Sequence, residues 1–136
     1  LRISAHHACI GFVQRQLAIT PAWGGGADLM RLLGPARGLR LLATGELVAA
    51  ERALDLGLID GVAAADEPFG AFIEAFVAPF RALTPRVARA GKALSLAAKL
   101  GASRRELDAI EEISLVTTWT HADHWAAVAR VFKPGG

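Results

Sequence analysis

The sequence predicts an α/β chain, with short strands and a glycine-rich loop in residues 1–63 and helices throughout residues 64–136. Three observations lead there. Runs rich in β-branched and aromatic residues, Ile10-Gly11-Phe12-Val13 and Leu17-Ala18-Ile19, sit near the start. Three consecutive glycines, Gly24 to Gly26, follow and free the backbone for a close approach. Beyond Asp66, apolar residues recur three and four positions apart, the spacing of one helical face.

Element by element, Leu1-Arg2-Ile3-Ser4 reads as the end of a strand already under way, so the chain is expected to be a piece of a larger protein. Ile10 to Val13 and Leu17 to Ile19 read as strands with connecting turns, separated by polar Gln14-Arg15-Gln16. After the glycines, Asp28 in a first turn and Leu29, Met30, Leu32 and Leu33 mark a helix stopped by Gly34-Pro35. Leu39, Leu41 and Leu42 mark a second, closed by Gly45, and Ala50 to Leu56 a third, closed by Gly57. Leu58 to Val62 is expected to be a brief strand.

The helical half opens with a stripe of Phe69, Phe72, Ile73, Phe76, Val77 and Phe80. Thr84-Pro85 predicts an N-cap followed by proline at the first helical position. Ser103 and Glu106 predict a capping box, with a helix starting near Arg104 and running into Trp119. A last helix carries Trp125, Val128, Val131 and Phe132 and ends at Lys133-Pro134.

Composition narrows the function classes. At 136 residues the chain suits one domain, and a hydrophobic fraction of 53% with 21% charged residues excludes a disordered chain. Charged residues interrupt every long apolar run, so none approaches the roughly 20 residues that span a bilayer. The net charge is +2 and the basic residues look scattered over helical faces, which argues against nucleic-acid binding. A lone Cys9 excludes an internal disulfide, fits a reducing compartment and is expected to be a buried thiol. No signal or transit segment is visible, so the expected location is cytoplasmic.

Three strings carry a resemblance. They are Ala8-x-Ile10-Gly11-Phe12-Val13-Gln14 through Pro21-Ala22-Trp23-Gly24-Gly25, then Leu33-Gly34-x-Ala36-Arg37 through Thr44-Gly45-Glu46 and Ala50-Glu51-x-Ala53-x-x-x-Gly57-Leu58-Ile59, and finally Phe132-Lys133-Pro134. In order and spacing they resemble the crotonase (enoyl-CoA hydratase/isomerase) superfamily. The resemblance implies a late portion of a ββα spiral over residues 1–63, then a C-terminal helical region at 64–136 that packs as a homotrimer or hexamer. One departure is Ala49, where the family usually has a capping Ser or Thr.

Family chemistry, carried over residue by residue, leaves a partial site. The two backbone donors that hold a thioester oxygen and stabilise an enolate lie upstream of the position matching Leu1, so this chain is expected to be incomplete and inactive alone. Hydrating relatives use two glutamates, and the second aligns with Gln14, whose amide orients groups without exchanging a proton. Gln14 is therefore the candidate catalytic residue, facing the acyl group; the alternative is a surface polar residue in a strand. The segment Pro21, Ala22, Trp23 and Gly24 is similar to the loop of ethylmalonyl-CoA decarboxylase-like members, which also carry Trp before the glycines and lack a glutamate at the Gln14 position.

Decarboxylation needs an apolar pocket for the leaving carboxylate, and Trp23 and Trp119 are the candidate walls, with core packing as their alternative. Lys133 is the candidate for reaching the phosphates or adenine of coenzyme A, which enters as part of an acyl-CoA substrate and not as a separate cofactor. His6-His7 and His121-His124 lack metal-ligand spacing, and no dinucleotide or phosphate-loop fingerprint accompanies the glycines. The expected activity is that of an acyl-CoA lyase or isomerase of fatty acid metabolism. A branched malonyl-CoA decarboxylase and a non-catalytic oligomerisation module remain alternatives.

Overall fold

A computed structural model describes residues 1–132. Its elements run β1 (Ile3–Ser4), β2 (Cys9–Gly11), a 3-10 helix (Val13–Leu17), α1 (Gly25–Leu33), α2 (Pro35–Thr44), β3 (Leu47–Ala49), α3 (Ala50–Leu56), β4 (Gly61–Val62), α4 (Phe69–Arg81), α5 (Pro85–Lys99), α6 (Arg104–Trp119) and α7 (Ala122–Val131). The chain divides into two compact units, Leu1–Phe76 and Val77–Gly136. No helix among the described residues is long and apolar enough to cross a membrane.

In the first unit, β1 runs parallel to β4 with Ile3 opposite Gly61 and Ser4 opposite Val62. Asp60 secures the start of this pairing: its carboxylate accepts from the Arg2 amide at 2.6 Å, and its own amide donates to the Arg2 carbonyl at 2.7 Å. Strands β2 and β3 pair antiparallel, Cys9 to Ala49 through Gly11 to Leu47. The pairing is close, because a Cβ at Gly11 would meet the Glu46 carbonyl oxygen at 2.8 Å. Phe72 and Phe76 of α4 meet with tilted rings, centroids 5.8 Å apart, and pack over Gly61, where a Cβ would lie 3.0 Å from the Phe76 ring.

The core of this unit is Leu29, Leu41, Val48, Ala53, Leu58 and Ile59, flanked by half-buried Ile10, Phe12 and Leu33. Each large aliphatic chain buried here stabilises the fold by about 1.5–3 kcal/mol. Glycines close the helices around it. Gly45 ends α2 at φ +62, with its N–H donating to Leu41, and Gly57 ends α3 at φ +79, after which Leu58 N–H returns to the Ala53 carbonyl.

The second unit is helical. Helix α5 packs on α6 and α6 on α7. Ser103 and Glu106 form the expected capping box, the Ser103 hydroxyl accepting from the Glu106 N–H and the Glu106 carboxylate from the Ser103 N–H. None of these three helices holds a buried residue; Leu96, Ile113, Val116, Trp119, Trp125 and Val131 are all more than half exposed.

Several expectations need correction. Residues 13–17 form a 3-10 helix and 18–20 are irregular, because Ala18 takes a left-handed conformation (φ +53) and its N–H turns back to the Arg15 carbonyl. Strand β3 was not foreseen; as a three-residue strand it carries too short an alternation to read. Only Gly61 and Val62 of the expected Leu58–Val62 strand pair, since Leu58 and Ile59 close off α3 and turn into the core. Thr84 has cap-like backbone angles but makes no side-chain cap bond. Cys9 is exposed and not buried, because the alternation in β2 turns Ile10 inward and Cys9 outward.

Candidate functional site

Gln14 lies in the first turn of the 3-10 helix and is half-buried. Its main-chain oxygen accepts from the Ile19 N–H at 3.3 Å, which folds the 17–20 segment back on it. The side-chain Oε1 is buried and has no hydrogen-bond partner among the described residues. A buried amide oxygen left without a donor costs about 1–3 kcal/mol. An amide side chain can orient a neighbouring group by hydrogen bonding but cannot exchange a proton with it.

The turn carrying Gln14 is held by its neighbour. Arg15 Nη1 donates to the carbonyls of Ala43 and Thr44, both at 2.9 Å, capping the last turn of α2. Two otherwise unpaired carbonyls and the negative end of a helix dipole are satisfied by one guanidinium. Sequence reasoning treated Arg15 as a polar spacer, and no local signal marks a partner 28 residues away.

The loop after Ile19 turns sharply. Pro21 is half-buried against Gly26, where a Cβ would lie 3.7 Å from the proline ring. Trp23 and Gly24 both take left-handed angles, φ +53 and φ +84. For tryptophan this conformation costs roughly 1–2 kcal/mol, a strain that occurs mainly at sites of function. The Trp23 side chain is 103% exposed, so it is not a core aromatic, and exposed Ala22, Leu17 and Ile19 lie near it in sequence. Gly24 accepts from the Asp28 N–H and opens α1.

In the helical unit, Trp119 is 55% exposed and stacks on His124 at 4.8 Å. His121 caps α7, its Nδ1 accepting from the Asp123 N–H at 3.1 Å, with the Asp123 carboxylate at 3.2 Å. Gln14, Pro21, Ala22, Trp23 and Gly24 thus share one short segment of the first unit, while Trp119 belongs to the second. Lys133 lies outside the described residues.

The basic residues are less scattered than their sequence positions suggest. Arg37 and Arg40 of α2 and Arg52 of α3 line a single cleft of about 470 Å³ with Glu46. The i, i+3 spacing of Arg37 and Arg40 places them on one helix face and was the available signal. On the same helix as Arg52, Glu51 hydrogen-bonds its own backbone amide and faces His6 Nδ1 at 3.5 Å, and these contacts hold its carboxyl below the usual carboxylate range.

No protein-family model matches the chain. Over 66 residues, 48% of this chain and 22% of the relative, it is 39% identical to ethylmalonyl-CoA decarboxylase from Gallus gallus. An enoyl-CoA hydratase structure from Bacillus anthracis superposes with a TM-score of 0.83 at 25% identity, covering 98% of this chain and 51% of that one. A Thermobifida fusca chain described as an enoyl-CoA hydratase, in complex with CoA, superposes with a TM-score of 0.76 at 26% identity, covering 96% and 48%. The chain therefore spans about half the length of these solved structures.

Proposed function

From the crotonase (enoyl-CoA hydratase/isomerase) fold that this chain carries, we propose that it forms the C-terminal half of an acyl-CoA enzyme that works by stabilising the enolate of a CoA thioester. The observation that supports this most is the buried, unpartnered Oε1 of Gln14 at the position where hydrating relatives place a glutamate. In this reading the Gln14 amide orients the reacting carbon, donating through Nε2 to the substrate carboxylate or accepting at Oε1 from a water held against it. It transfers no proton. In this reading two backbone donors meet the thioester oxygen as charge develops on it.

Within that class, the reaction best matched to an amide at this position is decarboxylation of a short branched malonyl-CoA. Loss of CO2 leaves an enolate that needs stabilisation and no activated water. The 39% identity to a decarboxylase and the strained, exposed Trp23 support this choice. In this reading Trp23 serves as an apolar surface beside the acyl group. The exposed apolar residues of α6 and α7 suit a homotrimer or hexamer. The enzyme is assigned to the cytoplasm.

The deciding assay uses the full-length product against crotonyl-CoA and ethylmalonyl-CoA, wild type beside Gln14→Glu. The expected result is CO2 release from ethylmalonyl-CoA, reduced by the substitution, with negligible water addition to crotonyl-CoA. Efficient hydration by the wild type, unaffected by Gln14→Glu, removes Gln14 from the site and this reading with it.

A further inference from the structure

The cleft between α2, β3 and α3 has a composition that the Gln14 loop does not explain, and it shares no lining residue with that loop. Its volume of about 470 Å³ falls within the roughly 300–1,000 Å³ usual for small-molecule sites. Arg37, Arg40 and Arg52 line it against a single carboxylate, Glu46. Among the described residues neither Arg37 nor Arg40 has an ion-pair partner, and Arg52 reaches only Asp55, at a loose 4.0 Å. Three guanidinium groups left in this state around one concavity repel each other until an anion enters.

The walls bear on what that anion is. Leu41 and Val48 belong to the core and form part of the lining, so the cleft floor is continuous with the core. Leu33 and Leu56, both half-buried, add apolar surface. Three arginines against one glutamate leave a net charge of +2, which matches a phosphate dianion more closely than a single carboxylate. The planar fork of arginine donates in pairs to phosphate oxygens, and lysine would do this less well.

We propose that this cleft is a binding site for a phosphate monoester with an apolar body, the phosphate held by Arg37, Arg40 and Arg52 and the body resting on Leu33 and Leu56. The site is independent of the acyl-CoA reading above. All three arginines are exposed.

Calorimetric titration of the full chain with phenyl phosphate at pH 8 tests this, beside inorganic phosphate and succinate. The expected result is saturable binding of phenyl phosphate, tighter than inorganic phosphate, with succinate weaker than either. Arg40→Gln and Arg37→Gln each weaken it about tenfold, the loss of one charge-assisted contact, while Arg105→Gln on α6 changes nothing and Arg40→Lys restores part of the affinity. Absence of saturable heat, equal loss in Arg105→Gln, or succinate binding as tightly as phenyl phosphate overturns the assignment. Circular dichroism of each variant keeps a folding defect from being read as lost binding.

Discussion

Arg15 caps the helix that ends at Thr44: its Nη1 donates to the Thr44 carbonyl at 2.9 Å and, at the same distance, to that of Ala43. One exposed side chain thereby joins the turn that presents Gln14 to helix α2. Arg15→Ala is expected to lower stability by about 1–2 kcal/mol, the value of charge-assisted bonds discounted for solvent exposure. Urea titration checks this, with the midpoint shifting at unchanged slope. If the proposed decarboxylation holds, the same change should lower its kcat more than it raises KM, because Gln14 loses its fixed position.

Gly45 is coupled to that cap. It sits at φ +62, and a Cβ there would lie 2.8 Å from Arg15 Cδ. Gly45→Ala should therefore cost at least about 1 kcal/mol for the left-handed backbone, with a further cost for displacing Arg15. A double-mutant cycle with Arg15→Ala separates the two, and the expected non-additivity is about 0.5 kcal/mol or more. Strict additivity would mean that Arg15 moves aside freely.

Gln14→Leu should have opposite effects on folding and function. It removes a buried oxygen that has no partner, so stability is expected to stay level or rise by up to about 1 kcal/mol. The proposed decarboxylase activity should fall sharply. A large loss of stability with activity retained would make Gln14 a structural residue.

Ala49 precedes α3 with φ −63 and ψ 157, the backbone of a helix cap without the side chain to complete it. Ala49→Ser should stabilise the chain by about 0.5–1 kcal/mol, read as a raised urea midpoint.

Helix α6 should be acid-sensitive at its start. The Ser103 hydroxyl, and then its backbone N–H, hydrogen-bond the Glu106 carboxylate and hold its pKa below the usual value of 4.5. A depressed folded-state pKa contributes stability that is complete above the unfolded value and is lost as pH falls through the folded one. Stability should accordingly decline below about pH 4.5, and Ser103→Ala should flatten that part of the profile. Thermal melts between pH 3 and pH 6 provide the measurement.

What the sequence determined by itself was the set of features whose causes lie within four or five residues. Helix α3 runs from Ala50 to its stop at Gly57 as read, and Ser103 and Glu106 form their capping box, because caps and glycine stops are local hydrogen bonds. The motif strings were also legible, and with them the crotonase fold. Tertiary structure alone decided the rest. Gln14 entered a 3-10 turn and not a strand, its oxygen buried, in a turn that Arg15 ties to carbonyls 28 and 29 residues on. Cys9 faces outward because β2 pairs with a strand too short to foresee. Arg37, Arg40 and Arg52 meet around one cleft only when α2, β3 and α3 fold against each other. In each case the deciding energy is a contact between segments distant in the chain, which no local pattern encodes.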